Sequence, residues 1–127
     1  MFKLKRMDKG NTPIIKELPS AAATFAVGEV AAISSGRITK VSGTVAPAYV
    51  VVEKGTKTTA DVVAVQPIYK DQEYVTTQAV DGQLVVGSKV TIHTDSASVT
   101  STTTNGVANV IEAVGSTSGS EVVVKFE

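Results

Sequence analysis

Val107-Ala108-Asn109-Val110-Ile111-Glu112-Ala113-Val114, then Gly115-Ser116-Thr117-Ser118-Gly119-Ser120, then Glu121-Val122-Val123-Val124-Lys125-Phe126: this run near the end of the chain decides the fold. It reads as a strand, a polar turn and a second strand. In the second strand Val122, Val124 and Phe126 share one face, while Glu121, Val123 and Lys125 share the other. That period of two marks a half-buried strand. A strand this apolar needs earlier strands to pair with and cover it, which implies a closed or nearly closed β structure.

Composition agrees. Among 127 residues there are 22 valines and 27 serines plus threonines, with few leucines and no tryptophan. β-Branched side chains fit a pleated surface and lose freedom in a helix, so this usage favours an all-β domain. The absence of cysteine removes disulfides, thiolate metal sites and cysteine nucleophiles together. Twelve basic and twelve acidic residues cancel, which gives no overall signature for nucleic acid or membrane. The charge is uneven, however: Lys3, Lys5, Arg6, Lys9 and Lys16 stand against Asp8 alone in the first sixteen residues. No apolar run is long enough for a membrane-spanning helix. The stretch Leu18–Ala23, flanked by Lys16, Glu17 and Glu29, is too interrupted for a signal sequence, so synthesis without export is expected.

In chain order, residues 1–20 differ from the rest. Met1–Met7 alternates briefly, and Asp8–Asn11 and Pro13 then break the pattern. This segment reads as an extended arm ordered by a neighbour or partner, or as a first strand tucked against its own domain. Residues 21–127 read as one β domain. Thr24–Ile33, Arg37–Val41, Ala48–Glu53, Asp61–Ile68, Glu73–Gln78 and Lys89–Thr94 are expected strands, the last burying Val90 and Ile92. Ser34-Ser35-Gly36, Lys54-Gly55-Thr56, Asp81-Gly82 and Asn105-Gly106 are expected turns. Pro67 suggests an edge or a strand end. Only Ala21–Ala23 leaves room for a helical turn. The expectation is a small barrel of about eight to ten short strands with an N-terminal arm.

Chemistry is sparse. His93 is the one histidine, expected on the outward face of its strand, and neither a second histidine nor a cysteine can complete a metal site with it. Gly115–Gly119 resembles the Gly-x-Ser-x-Gly phrase of hydrolases but carries Thr117 at its centre and leads into a strand, so it reads as a hairpin turn. Asp71 and Glu73 read as solvated rim charges beside Tyr69 and Tyr74. Glycines open no helix, which excludes phosphate loops. The basic arm has no stacking aromatic beyond Phe2, a weak case for nucleic acid; an acidic protein surface suits it better. No enzyme and no cofactor is expected.

Several of these phrases resemble a known family. Phe25–Val30, Lys40–Tyr49 with its Ala46-Pro47-Ala48-Tyr49, Val65–Ile68, Glu73–Thr77, Val86–Asp95 and the closing Val122–Phe126 resemble the small head decoration (cement) proteins of tailed bacteriophages. The likeness covers most of residues 22–127 and rests on turns and strands. It implies a β-barrel or β-tulip module on the outside of an assembled capsid, contacting the major capsid protein, often as a trimer, with no catalytic residues, nucleic acid or membrane partner. Made in the host cytoplasm, such a chain would reside on the virion exterior. Phe2, Lys3, Leu4, Lys5 and Arg6 are then the expected capsid-binding residues, the cations supplying charge complementarity. A fibre, tail or adhesin-type β domain is the alternative that the Ser/Thr-rich composition also suits.

Overall fold

The hairpin that opened the sequence reading forms as its alternation dictates. Ala108–Ala113 and Glu121–Phe126 pair antiparallel, with Ala108 opposite Phe126 and Ala113 opposite Val122. Val122, Val124 and Phe126 enter the core; each such side chain contributes roughly 1.5–3 kcal/mol relative to exposure.

The computed structural model describes residues 1–7 and 14–127. The break expected at Asp8–Pro13 lies outside the described residues. Those described contain no helix and twelve strands: β1 Lys3–Met7, β2 Lys16–Pro19, β3 Ala23–Phe25, β4 Val30–Ser34, β5 Arg37–Lys40, β6 Tyr49–Val51, β7 Gly55–Lys57, β8 Val62–Pro67, β9 Gln72–Thr77, β10 Lys89–Val90, β11 Ala108–Ala113 and β12 Glu121–Phe126. The protein is therefore all-β. One five-stranded sheet runs β1-β9-β12-β11-β10 and a second runs β2-β8-β6-β4-β5, with β3 and β7 as a separate ribbon. Every strand pairing is antiparallel.

At β4 and β6 the second sheet is buried on both faces. Successive residues of a strand point to opposite sides, and here both neighbours are apolar: Val30 and Val50 join one core, Ala31 and Val51 another. The first core lies against the first sheet, around Tyr74, Val110, Val124 and Phe126. The second gathers Phe25, Ile38, Val63 and Val65.

Several expected boundaries move. The stretch read as one strand, Thr24–Ile33, divides into β3 and β4, because Ala26–Glu29 turn out to make other contacts: the Gly28 N–H donates to the Val51 carbonyl and the Phe2 N–H to the Gly28 carbonyl, both at 2.8 Å. Lys54-Gly55-Thr56, expected as a turn, enters β7 and pairs with β3. Ala23 begins β3 in place of a helical turn. Lys89–Thr94 keeps only β10 as regular strand, and Ile92 instead bridges Gly43 and Val99. Val90 and Ile92 are buried as read. Ser35 and Gly36 both take positive φ (51° and 75°) between paired Ser34 and Arg37, the twist that a two-residue hairpin favours. Pro67 ends β8, where its missing N–H costs the ladder least.

The described parts of residues 1–20 form strands. Of the two readings open for Met1–Met7, the structure takes the tucked strand: β1 lies along β9, Leu4 opposite Tyr74 and Arg6 opposite Glu73. The 1–20 segment also contributes β2, which pairs with β8 from Lys16–Val65 to Pro19–Val62.

Candidate functional site

The surface richest in chemistry is the outer face of the first sheet. In-register pairing lines up Lys3, Val75, Val123 and Glu112 across β1, β9, β12 and β11; beside them Arg6 stands opposite Glu73, and Lys125 opposite Asn109. Irregularities between Leu4 and Arg6 and between Val110 and Glu112 shift the register where the charges gather. There Arg6 Nε donates to Glu73 Oε1 at 2.6 Å, Arg6 Nη2 to Glu112 Oε1 at 2.9 Å, and Lys5 Nζ to Glu112 Oε2 at 3.2 Å. Glu112 thus reaches from β11 across two strands to β1. Val123 faces this side yet is only 5% exposed, since the long side chains lie over it.

The five residues singled out in the sequence go to different places. Phe2 is buried, its ring 5.3 Å from that of Phe126. Leu4 packs against the same core. These two face inward. Lys5 and Arg6 are spent on Glu73 and Glu112, acids the sequence did not connect with them. Glu73, read as a rim charge, is 7% exposed under Arg6. Of these five, Lys3 is the exposed cation that makes no ion pair with another described residue.

Beside β1 lies a hollow of about 280 Å³ lined by Met1, Phe2, Leu4, Val27, Val51 and Tyr74, among others. No signal in the sequence marks it, because its walls come from five separate stretches of the chain. His93 is half-buried and its N–H donates to the Ser98 carbonyl. Asp95 accepts from the Ala97 and Ser98 N–H groups at 2.9 and 3.1 Å and from the Ser98 hydroxyl, so it holds a turn. Gly115–Gly119 is the turn joining β11 to β12. No group of three or more His, Cys, Asp or Glu residues able to hold a metal ion occurs among the described residues.

The carboxylates give the surface a pH dependence. Hydrogen bonds from Arg6, then Lys5, hold Glu112 below the ordinary Glu value of 4.5. The Ala64 N–H and Lys57 do the same for Glu53, and the Thr58 N–H and hydroxyl lower Asp61 from 3.8. Burial pushes Asp95 up, but hydrogen bonds from Ala97 and Ser98 with the charge of His93 outweigh it, leaving it lowered. A depressed folded-state pKa stabilises above the ordinary carboxylate range and loses that contribution as pH falls through the folded value. The urea midpoint is therefore expected to be level near neutrality and to fall below about pH 4.5; a midpoint unchanged to pH 3 would contradict this. At the other extreme, burial raises Tyr74 from 10.0 to about 12, against an opposing hydrogen bond from Gln66. Its hydroxyl also donates to Gln72 Oε1 at 2.7 Å. Here the unfolded chain loses its proton first, so stability is lost as pH rises from 10 towards 12. An absorbance titration is expected to show a tyrosine step near pH 12; its disappearance in Tyr74→Phe checks the assignment.

The chain matches no known family model, no curated protein and no solved structure in such comparisons.

Proposed function

We infer that this is a non-enzymatic structural protein of a tailed-phage virion, binding the outer surface of the assembled capsid and stabilising it as a decoration or cement protein. The observation that carries the reading is the set of strand and turn phrases resembling that family, from Phe25–Val30 to Val122–Phe126, on an all-β chain. A barrel-like form is supported where the outer strands of the second sheet approach: Ser20, just after β2, bridges Ile38 of β5, and the Ala21 N–H donates to the Ile38 carbonyl at 3.0 Å. β1 ends the first sheet, so half of its backbone groups face outward and can accept an added strand. In this reading the partner is the major capsid protein, Lys3 is an arm cation left to meet an acidic patch, and copies assemble as trimers on the shell.

Binding only the mature lattice stabilises it by mass action, about 2.7 kcal/mol per site when free protein is a hundredfold above Kd. Co-sedimentation with expanded and unexpanded capsids of the source phage tests this. Saturable binding to expanded shells, with a raised shell melting temperature, is expected. Binding to neither form would move the protein to the fibre, tail or adhesin class.

A further inference from the structure

We propose that Asn105 is a site of spontaneous main-chain modification: the Gly106 nitrogen displaces its side-chain amide, and the isoaspartyl link that follows loosens β10 from β11. The reaction is intramolecular. The Gly106 nitrogen gives its proton to solvent base and bonds to Asn105 Cγ; the Cγ–Nδ2 bond breaks, and ammonia leaves with a proton from water. The succinimide ring then takes up a water. Hydrolysis at Cγ leaves aspartate on the ordinary main chain. Hydrolysis at the main-chain carbonyl leaves the chain running through Cγ, with the α-carboxylate as the side group. Water is the sole co-reactant.

The structure selects this position over the two others that invite comparison. Asn109 lies within β11 before branched Val110, and its Nδ2 donates to Glu127 Oε1 at 2.9 Å. At Asp81-Gly82, Asp81 Oδ1 accepts from the Ser118 N–H at 2.8 Å and the Gly82 N–H donates to the Ser116 carbonyl at 2.7 Å. There both groups that would have to meet are held. Asn105 is exposed at the end of its turn, and its side chain makes no hydrogen bond among the described residues. The Gly106 N–H lies 3.4 Å from the Thr103 carbonyl, longer than an ordinary N–H···O bond. With no Cβ, Gly106 does not hinder the approach of Cγ. Asn105 also sits at φ 54°, so the backbone rotation that ring closure requires starts from a conformation of raised energy.

Placement in the fold decides the effect of the product. Gly106 stands so close to the Lys89 and Val90 backbone that even a Cβ finds no room. The isoaspartyl link inserts an extra methylene carbon into the main chain immediately before it, so Gly106 must shift. The Val107 N–H bond to the Val90 carbonyl and the Lys89–Asn109 and Val90–Ala108 pairings follow directly. Val90 and Ala108 are buried in the first core, which this opening would uncover. The aspartyl product keeps the chain path and leaves the pairing intact.

Incubating the purified, folded protein at mildly alkaline pH, followed by mass spectrometric fragmentation, tests the proposal. Amide-to-acid conversion at position 105 is expected, with isoaspartate detectable by an isoaspartyl methyltransferase. Asn109 and Asp81 should remain intact over the same period. The isolated isoaspartyl form should unfold at a lower urea midpoint, while freshly prepared Asn105→Asp stays near the wild type. Asn105→Gly should neither convert nor lose its midpoint on incubation. Conversion confined to urea-unfolded chain overturns the proposal, since the turn would then shield the site. So does earlier conversion at Asn109 or Asp81. An isoaspartyl form that unfolds at the wild-type midpoint overturns the loosening of β10. No arm of the experiment involves a capsid, so this inference and the proposed function stand or fall separately.

Discussion

Replacing Phe2 by alanine is expected to lower the unfolding free energy by about 3–5 kcal/mol, the usual cost of emptying a buried aromatic site. Phe2 is 2% exposed, and its ring tilts 58° against Phe126, which in turn lies 5.7 Å from Tyr74. Such tilted pairs add roughly 0.5–1.5 kcal/mol beyond area burial. The Phe2 N–H also donates to Gly28, tying β1 to the β3–β4 connection. Deleting residues 1–7 should cost more still, because it strips β9 of one of its two partners and uncovers Tyr74. For a domain of marginal stability, that loss approaches the whole folding free energy. An arm held only by a partner could be removed without changing the melting curve. Urea denaturation followed by circular dichroism decides: a wild-type midpoint in Phe2→Ala would mean that β1 is not docked in solution.

Gly106→Ala is the second large effect. A Cβ built there meets the Lys89 carbonyl oxygen at 2.1 Å, its carbon at 2.3 Å and the Val90 nitrogen at 2.7 Å. All three are backbone atoms, so relief requires moving β10 away from β11. The adjoining Val107 N–H donates to the Val90 carbonyl at 3.0 Å, and that pairing would open with it. Overpacking of this kind costs typically about 1–3 kcal/mol, and more where backbone must shift. Asn105→Gly is the control: Asn105 has φ 54°, a region glycine enters freely, so its change should fall within about 0.5 kcal/mol of zero. If Gly106→Ala unfolds at the wild-type midpoint, the close approach of the two strands does not persist in solution.

These two positions mark where the sequence could and could not be read. Asn105-Gly106 is legible as a turn, yet there the positive φ belongs to the asparagine, and the glycine is needed for close approach to a strand sixteen residues earlier. Spacing cannot report that approach. Likewise the alternation of Met1–Met7 announces a strand, but nothing local says that Phe2 finds Phe126 at the far end of the chain. Lys5 and Arg6 read as free cations for the same reason: Glu73 and Glu112 become their neighbours only through the β1-β9-β12-β11 order.

By itself the sequence determined the class of structure and most of its strands. β-Branched composition and period-two alternation act within a few residues, so Arg37–Lys40, Val62–Pro67, Gln72–Thr77 and the β11–β12 hairpin could be placed from local pattern. Tertiary structure alone decided the sheet order, the two buried faces at β4 and β6, the hollow beside β1 and the partners of the charges. Each depends on residues far apart in the chain meeting across a sheet, and pairing at a distance leaves no periodicity in the sequence.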